Sequence, residues 1–289
     1  MKKIFFTGAN GFIGTNLSSY LREQDKDIEI HEYSGKIESF EELKTAFQKE
    51  KWDYIFHFAG MSHVADCEAD PQKAYEVNVL GTLFLAQLIS ESNFSGKLFF
   101  TSTALVYDVK PSMEKVEINE SFPISPKNTY SRTKYFSENI LKTLAESSSC
   151  SVFVLRLFNH THKTQSVKFF LPSVYRQISE SENGGTIKVG NIDLVRDFSL
   201  ITDFTKKFWN LMNEKANNRF QIVNLSSGIP RRLRDIVEIM IKKSGKHLQI
   251  VVDPMLVRKN DPGYVVGKFS TSYQSTVSDE QFVVEFISL

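Results

Sequence analysis

The stretch "KIFFTGANGFIG", residues 3–14, decides the fold. A short apolar run, Ile4 to Phe6, meets Gly8, Gly11 and Gly14, and helical spacing begins near residue 12. A strand-to-helix turn this tight needs residues free of Cβ. The helix N-terminus behind it then presents backbone N–H groups to a pyrophosphate. The spacing is G-x-x-G-x-x-G rather than G-x-G-x-x-G, and its place at the first such turn predicts a dinucleotide site. Basic residues precede the apolar run, but three residues are too few for the h-region of a signal peptide.

The rhythm set there continues. Strand-like runs recur at 27–33, 53–60, 97–103, 151–159 and 220–226, with helical patterns at 12–23, 39–50, 72–92 and 130–147 between them. Strands alternating with helices imply a parallel sheet covered on both faces. The runs are continuously apolar, as two-sided burial requires. From about residue 166 the pattern changes: a helix near 167–180, a short strand "TIKVG" and a basic helix at 231–243. The expectation is an α/β chain, a Rossmann-type doubly wound parallel sheet with a smaller, interleaved C-terminal substrate lobe. The dinucleotide domain would span 1–165 with returns near 195–226, and the substrate lobe 166–194 and 227–289.

The chain has 289 residues, 41% hydrophobic and 24% charged, enough apolar material for a core without staples. Lys and Arg number 35 against 34 Asp and Glu, so nothing global favours a nucleic acid or a membrane surface. Cys67 and Cys150 stand far apart, and neither they nor the six histidines show the spacing of a metal site. A reducing cytoplasm is the natural setting. No stretch approaches the roughly 18 apolar residues of a membrane span.

Polar residues gather where such a sheet places its ligands, at the carboxyl edge. Glu32 lies at the end of the second strand, where an acid meets a ribose hydroxyl of NAD. Lys36 and His31 lie close by, where a cation meets the 2′-phosphate of NADP, and the choice stays open. Ala59 and Gly60 end the third strand, followed by Ser62 and His63, and Asn78 sits inside a helical pattern. The fourth strand ends in Ser102 and Thr103. "NTYSRTK" (128–134) opens the next helix and puts Tyr130 one turn from Lys134 on one face.

Together "TGANGFIG", "HFAGMSHVADCEADPQKAYEVNVLGT", "TSTALVY", "YSRTK" and "LRLFN" resemble the extended short-chain dehydrogenase/reductase family of nucleotide-sugar epimerases, dehydratases and reductases. The resemblance covers residues 1 to about 267. It implies that Thr103, Tyr130 and Lys134 are catalytic. It implies cofactor contacts from Gly8, Asn10, Gly11, Phe12, Ile13, Gly14, Glu32, Lys36, Phe58, Ala59, Gly60, Asn78, Tyr130 and Lys134. The cofactor is NADP or NAD, and a homodimer follows by family likeness. Lys134 and a positive nicotinamide ring are expected to lower the Tyr130 phenol from ~10 toward ~7, a preference of about 4 kcal/mol.

Family likeness also narrows the chemistry. Dehydratases carry an acid beside the catalytic Thr, and GDP-fucose-forming epimerase-reductases a cysteine two places on. Here Ala104 and Leu105 follow Thr103. That leaves a redox step at carbon 4: reduction of a nucleotide-linked 4-keto-6-deoxy sugar, or 4-epimerisation with tightly held NAD. A third reading is a cofactor-binding protein without catalysis. "LRLFNHTHKTQ" and "VGNIDLVRDFSLITDF" resemble segments of GDP-4-keto-6-deoxy-D-mannose reductases. They imply substrate contacts from Asn159 and Arg196, joined by Arg258, Ser62, His63 and Thr103. "RRLR" (231–234) reads as a solvated face. The tail "GKFSTSYQSTVSDEQ" (267–281) departs from the family pattern.

Overall fold

The computed structural model describes residues 1–258, 261–268 and 277–288. In chain order the strands and helices are β1 (Lys2–Thr7), α1 (Phe12–Gln24), β2 (Ile28–Tyr33), α2 (Phe40–Phe47), β3 (Tyr54–His57), α3 (Val64–Ala69), α4 (Pro71–Tyr75) and α5 (Gly81–Glu91). There follow β4 (Lys97–Thr103), β5 (Glu117–Ile118), α6 (Thr129–Ser147), β6 (Ser151–Leu157), β7 (Asn159–Thr161), α7 (Phe170–Glu180) and β8 (Thr186–Val189). The described chain closes with β9 (Val195–Leu200), α8 (Ile201–Asn213), β10 (Phe220–Leu225), β11 (Pro230–Arg232), α9 (Leu233–Ser244), β12 (Gln249–Val252), β13 (Tyr264–Gly267) and α10 (Asp279–Ser288).

One compact unit comprises Met1–Asp108, Pro123–Leu157 and Thr205–Val223. Its sheet runs β10-β6-β4-β3-β1-β2, with β1 parallel to both β2 and β3, and β4 parallel to β3 and β6. The expected parallel α/β sheet is present. Adjacent residues on β1 feed opposite faces: Phe5 packs on Phe47 and Trp52, and Phe6 on Phe56 and Phe58. That two-sided burial is why the strands read as continuous apolar runs. Strand order reverses at β1, with β2 on one side and β3 on the other. Ligands of open α/β sheets bind at such a switch point, beyond the strands' carboxyl ends.

The helical pattern at 72–92 is not one helix. It is α4, a π-helical turn at Glu76–Leu80, then α5. The widened turn changes which groups meet within the helix, and two hydroxyls, Thr82 and Ser137, donate to the Asn78 carbonyl at 2.6 and 2.8 Å.

The other unit comprises Val109–Phe122, Phe158–Phe204 and Asn224–Leu289. It holds a sheet ordered β11-β9-β13-β5, with β7 beside β9, and a separate β12-β8 pair. The stretch 195–226, read as a return to the first sheet, divides. Only β10 joins that sheet; β9 belongs to the second, where Asp197 ties it down by accepting from the backbone N–H groups of Ser227, Gly228 and Gly267. The unusual tail lies partly outside the described residues. No helix among the described residues is long and apolar enough to cross a membrane.

Candidate active site

The glycine turn is built as its spacing requires. Gly8 has φ +81°, and a Cβ there would lie 2.4 Å from the Ala59 nitrogen. A Cβ on Gly14 would lie 2.2 Å from the Gly8 carbonyl oxygen. Asn10 and Gly11 are exposed at the tip, while Phe12 and Ile13 are half-buried as α1 begins. The cradle that only glycine fills, together with the N-terminus of α1, fits a dinucleotide pyrophosphate. Phe58, Ala59 and Gly60 lie alongside, beyond β3, with Phe58 packed on Phe6.

At the end of β2 the two cofactor signals part. Glu32 pairs with Arg22 at 2.8 Å, whereas His31 turns the other way, to Glu29 at 2.7 Å and the Trp52 ring. His31 is therefore committed to packing. Lys36 is exposed, its backbone carbonyl accepting from the Tyr33 hydroxyl.

Asn128 starts α6 with a capping box, accepting from the Ser131 N–H while the Ser131 hydroxyl accepts from the Asn128 N–H. Glu68 accepts from the Thr129 N–H at 2.6 Å. These contacts fix the first turn, which carries Tyr130. Thr103 ends β4, and its side chain lies near enough to the Tyr130 phenol to pull it downward. Burial pushes the Tyr130 phenol well above its ordinary value, against a smaller downward pull from Thr103.

Lys134 is buried, its ammonium 4.7 Å from the Phe100 ring centre and 3.3 Å from where a Gly60 Cβ would stand. Burial lowers it to about 8, while Cys67 and Glu138 pull upward. In the protein alone burial is the largest influence on the phenol; the expected acidification draws on Lys134 together with a bound, positive nicotinamide ring. Ala104 is buried behind Thr103 and Leu105 is exposed, so no titratable group stands at either position.

A family model described as GDP-mannose 4,6 dehydratase matches residues 22–279. The chain belongs to that family. GDP-6-deoxy-D-mannose reductase of Pseudomonas aeruginosa is 26% identical over 279 residues, covering 95% of this chain and 91% of that protein. GDP-6-deoxy-D-talose 4-dehydrogenase of Aggregatibacter actinomycetemcomitans is 28% identical over 290 residues, covering 97% and 93%. Among solved structures, that of RMD from Pseudomonas aeruginosa complexed with NADPH superposes with a TM-score of 0.87 at 25% identity, covering 100% of this chain and 98% of that one. A UDP-glucose 4-epimerase from Thermotoga maritima shares the fold, with a TM-score of 0.84 at 21% identity.

Within this dehydratase-family chain, Asn78 has its amide committed to protein. It accepts from the Met61 N–H at 2.8 Å and donates to the Met61 carbonyl at 3.1 Å and the Thr133 hydroxyl at 2.9 Å. Thr133 in turn donates to the Tyr130 carbonyl. Ser62 is exposed, and His63 precedes α3 beside Asp66 at 3.1 Å.

In the second unit, Asn159 donates to the Asp197 carbonyl at 2.9 Å. Arg196 is held by Asp261 at 2.7 Å and by the carbonyls of Val195 and Pro262, not by its neighbour Asp197. Exposed Arg258 is near enough for its charge to act on Arg196. Two guanidiniums at that range suit an anion with more than one charge. "RRLR" is not a solvated face throughout: Arg231 is buried, paired with Asp279 and stacked 4.3 Å over Phe282.

Sequence reasoning missed several supports. His57 is buried between the Thr7 and Thr82 hydroxyls, at 2.8 and 2.9 Å. Burial, with the nearby Lys134 charge, lowers it to about 3. Cys67 is buried near Lys134 and Tyr130. A histidine within an otherwise apolar strand was the available signal for the first.

Proposed function

We propose that this chain reduces a nucleotide-linked 4-keto-6-deoxy sugar, GDP-linked, at carbon 4, using NADPH or NADH. The observation that carries the reading is the approach of Thr103, at the end of β4, to Tyr130 on α6, with no acid or thiol on the two residues after Thr103. The dinucleotide, when bound, supplies the hydride. Tyr130, kept protonated by burial, donates to the sugar oxygen. Thr103 orients that oxygen through its hydroxyl. Lys134 holds the nicotinamide ribose and places a positive charge near the developing alkoxide. Gly8, Gly11 and Gly14 seat the pyrophosphate. Asn159, Arg196 and Arg258 take the sugar and its diphosphate. The likeness to relatives named GDP-6-deoxy-D-mannose reductase and GDP-6-deoxy-D-talose 4-dehydrogenase supports this.

A second reading, a 4-epimerase with tightly held NAD, is favoured by the relatives named UDP-glucose 4-epimerase. Purified protein incubated with GDP-4-keto-6-deoxy-mannose and NADPH or NADH separates the two. A reductase consumes reduced cofactor in proportion to ketosugar, while an epimerase gives no net consumption.

A homodimer also belongs to this reading. Leu80, Leu83, Phe136 and Tyr75 are exposed on α4, the π turn, α5 and α6, with Tyr75 against Phe136. Such an apolar face is suited to a second copy. Sedimentation of wild type against Leu83→Glu/Phe136→Glu tests it; an unchanged dimer, or a monomeric wild type, contradicts it.

A further inference from the structure

A buried charge cluster lies directly behind the proposed catalytic residues, and nothing in the mechanism above uses it. Glu138 on α6 accepts from the Ser102 hydroxyl, from Arg156 Nε at 3.1 Å and from Arg156 Nη2 at 2.7 Å. Ser102, Glu138 and Arg156 are each 3% exposed or less. The Arg156 guanidinium lies 4.8 Å over the Tyr107 ring. Ser102 and Arg156 are direct register partners on β4 and β6, so the carboxylate meets both strands at one level.

Spacing gives the cluster its meaning. Glu138 is four residues past Lys134 and eight past Tyr130, so all three line one face of α6. Ser102 immediately precedes Thr103. The Glu138 carboxylate thus grips the strand end that carries one proposed catalytic group, from the helix face that carries the other two. A buried pair on its own is weak evidence for stability, since desolvation offsets most of its attraction. Arg156 alone would satisfy Glu138; the Ser102 contact adds a tie to the active-site strand.

We propose that Glu138, with Ser102 and Arg156, is the positioning element of the site: it sets the Tyr130–Lys134 face of α6 against Thr103 and presents a negative charge toward the Lys134 ammonium. This rests on the reading of Thr103, Tyr130 and Lys134 as catalytic. The titratable groups around Lys134 are Cys67 from α3, buried neutral His57 from β3, and Glu138 from α6 itself. The Phe100 ring of β4 lies 4.7 Å from the ammonium, and a Cβ on Gly60 would stand 3.3 Å from it. Glu138 pulls the ammonium upward from the depression that burial imposes.

The test uses full-length protein, NADPH or NADH, and GDP-4-keto-6-deoxy-mannose, with kcat, KM and the pH profile measured. Glu138→Gln keeps the shape and removes the charge. Its kcat should fall at least ~10-fold with KM unchanged, as for a slightly misplaced reacting group, and the alkaline fall in activity should move to lower pH. Glu138→Asp should leave that alkaline limb in place while kcat stays low, because the charge remains and the reach is lost. Ser102→Ala leaves the ion pair whole and decides the matter should Glu138→Gln not fold; it should lower kcat without moving the pH profile. Tyr130→Phe, run alongside, separates the two claims. An active Tyr130→Phe removes the catalytic reading itself. An inactive Tyr130→Phe beside folded Glu138 or Ser102 variants of wild-type kcat and pH profile overturns the positioning role alone.

Discussion

The Lys134 ammonium lies 4.7 Å from the centre of the Phe100 ring, inside the protein rather than in solvent. The cation is held over a quadrupole on β4, against the Gly60 backbone, with no carboxylate in ion-pair contact among the described residues. Burial lowers it from 10.5 to about 8, which corresponds to about 3 kcal/mol against the charged form at 1.36 kcal/mol per unit. A fold that accepts such a cost keeps the ammonium for chemistry, which gives the first prediction.

Lys134→Met should abolish turnover and yet leave the protein as stable as wild type, or more so, at pH 7. The sign follows from linkage. A buried Lys lowered to about 8 binds fewer protons than in the unfolded chain, so wild-type stability rises as pH climbs from about 8 toward 10.5. Thermal melts of both proteins across pH 6–10 check this, and Met should flatten that rise. A strongly destabilised Lys134→Met would contradict it.

His57 should produce a slope of the same sign in the acid range. Its folded value is about 3 against an ordinary 6.5, so the unfolded chain takes up a proton that the folded chain refuses. Stability therefore declines as pH falls below about 6.5 and continues to decline toward 3. His57→Gln should show a shallower acid decline in denaturant titrations.

Gly8→Ala should remove dinucleotide binding. The new Cβ would meet Ala59 backbone at 2.4 Å from a backbone with φ +81°, and neither partner can yield as a flexible side chain would. Cofactor-dependent thermal shift checks it: wild type gains stability with NADPH or NADH by mass action, and the variant should not.

Arg196 and Arg258 should behave differently. Arg258 is exposed, and Arg258→Ala should raise KM for the sugar nucleotide with the melting temperature unchanged. Arg196 is bound to Asp261 and two carbonyls, and Arg196→Ala should both raise KM and destabilise, because three acceptors lose their donor. Ligand titration and thermal melts on the two variants separate these outcomes.

Much of the site's outline was readable from residues 3–14 and 128–134, because glycine spacing and a helical i,i+4 pair are local constraints. What escaped was set by distant partners. An apolar periodicity does not distinguish α from π, so the turn that carries Asn78 was hidden within 72–92. Arg231 looked solvated because Asp279, its partner, stands 48 residues away. Arg156 carried a legible warning, a charge within an apolar strand, but not the identity of Glu138. The burial that raises the Tyr130 phenol was likewise hidden, since an i,i+4 pair says nothing of what covers it.

The most direct test of the account is Tyr130→Phe, assayed by single-turnover oxidation of bound NADPH or NADH with GDP-4-keto-6-deoxy-mannose. The variant retains the ring and loses only the hydroxyl near Thr103. Cofactor binding should be unaltered while the rate falls by at least ~10²-fold, the usual worth of a positioned proton donor. Hydride transfer at the wild-type rate would contradict the account.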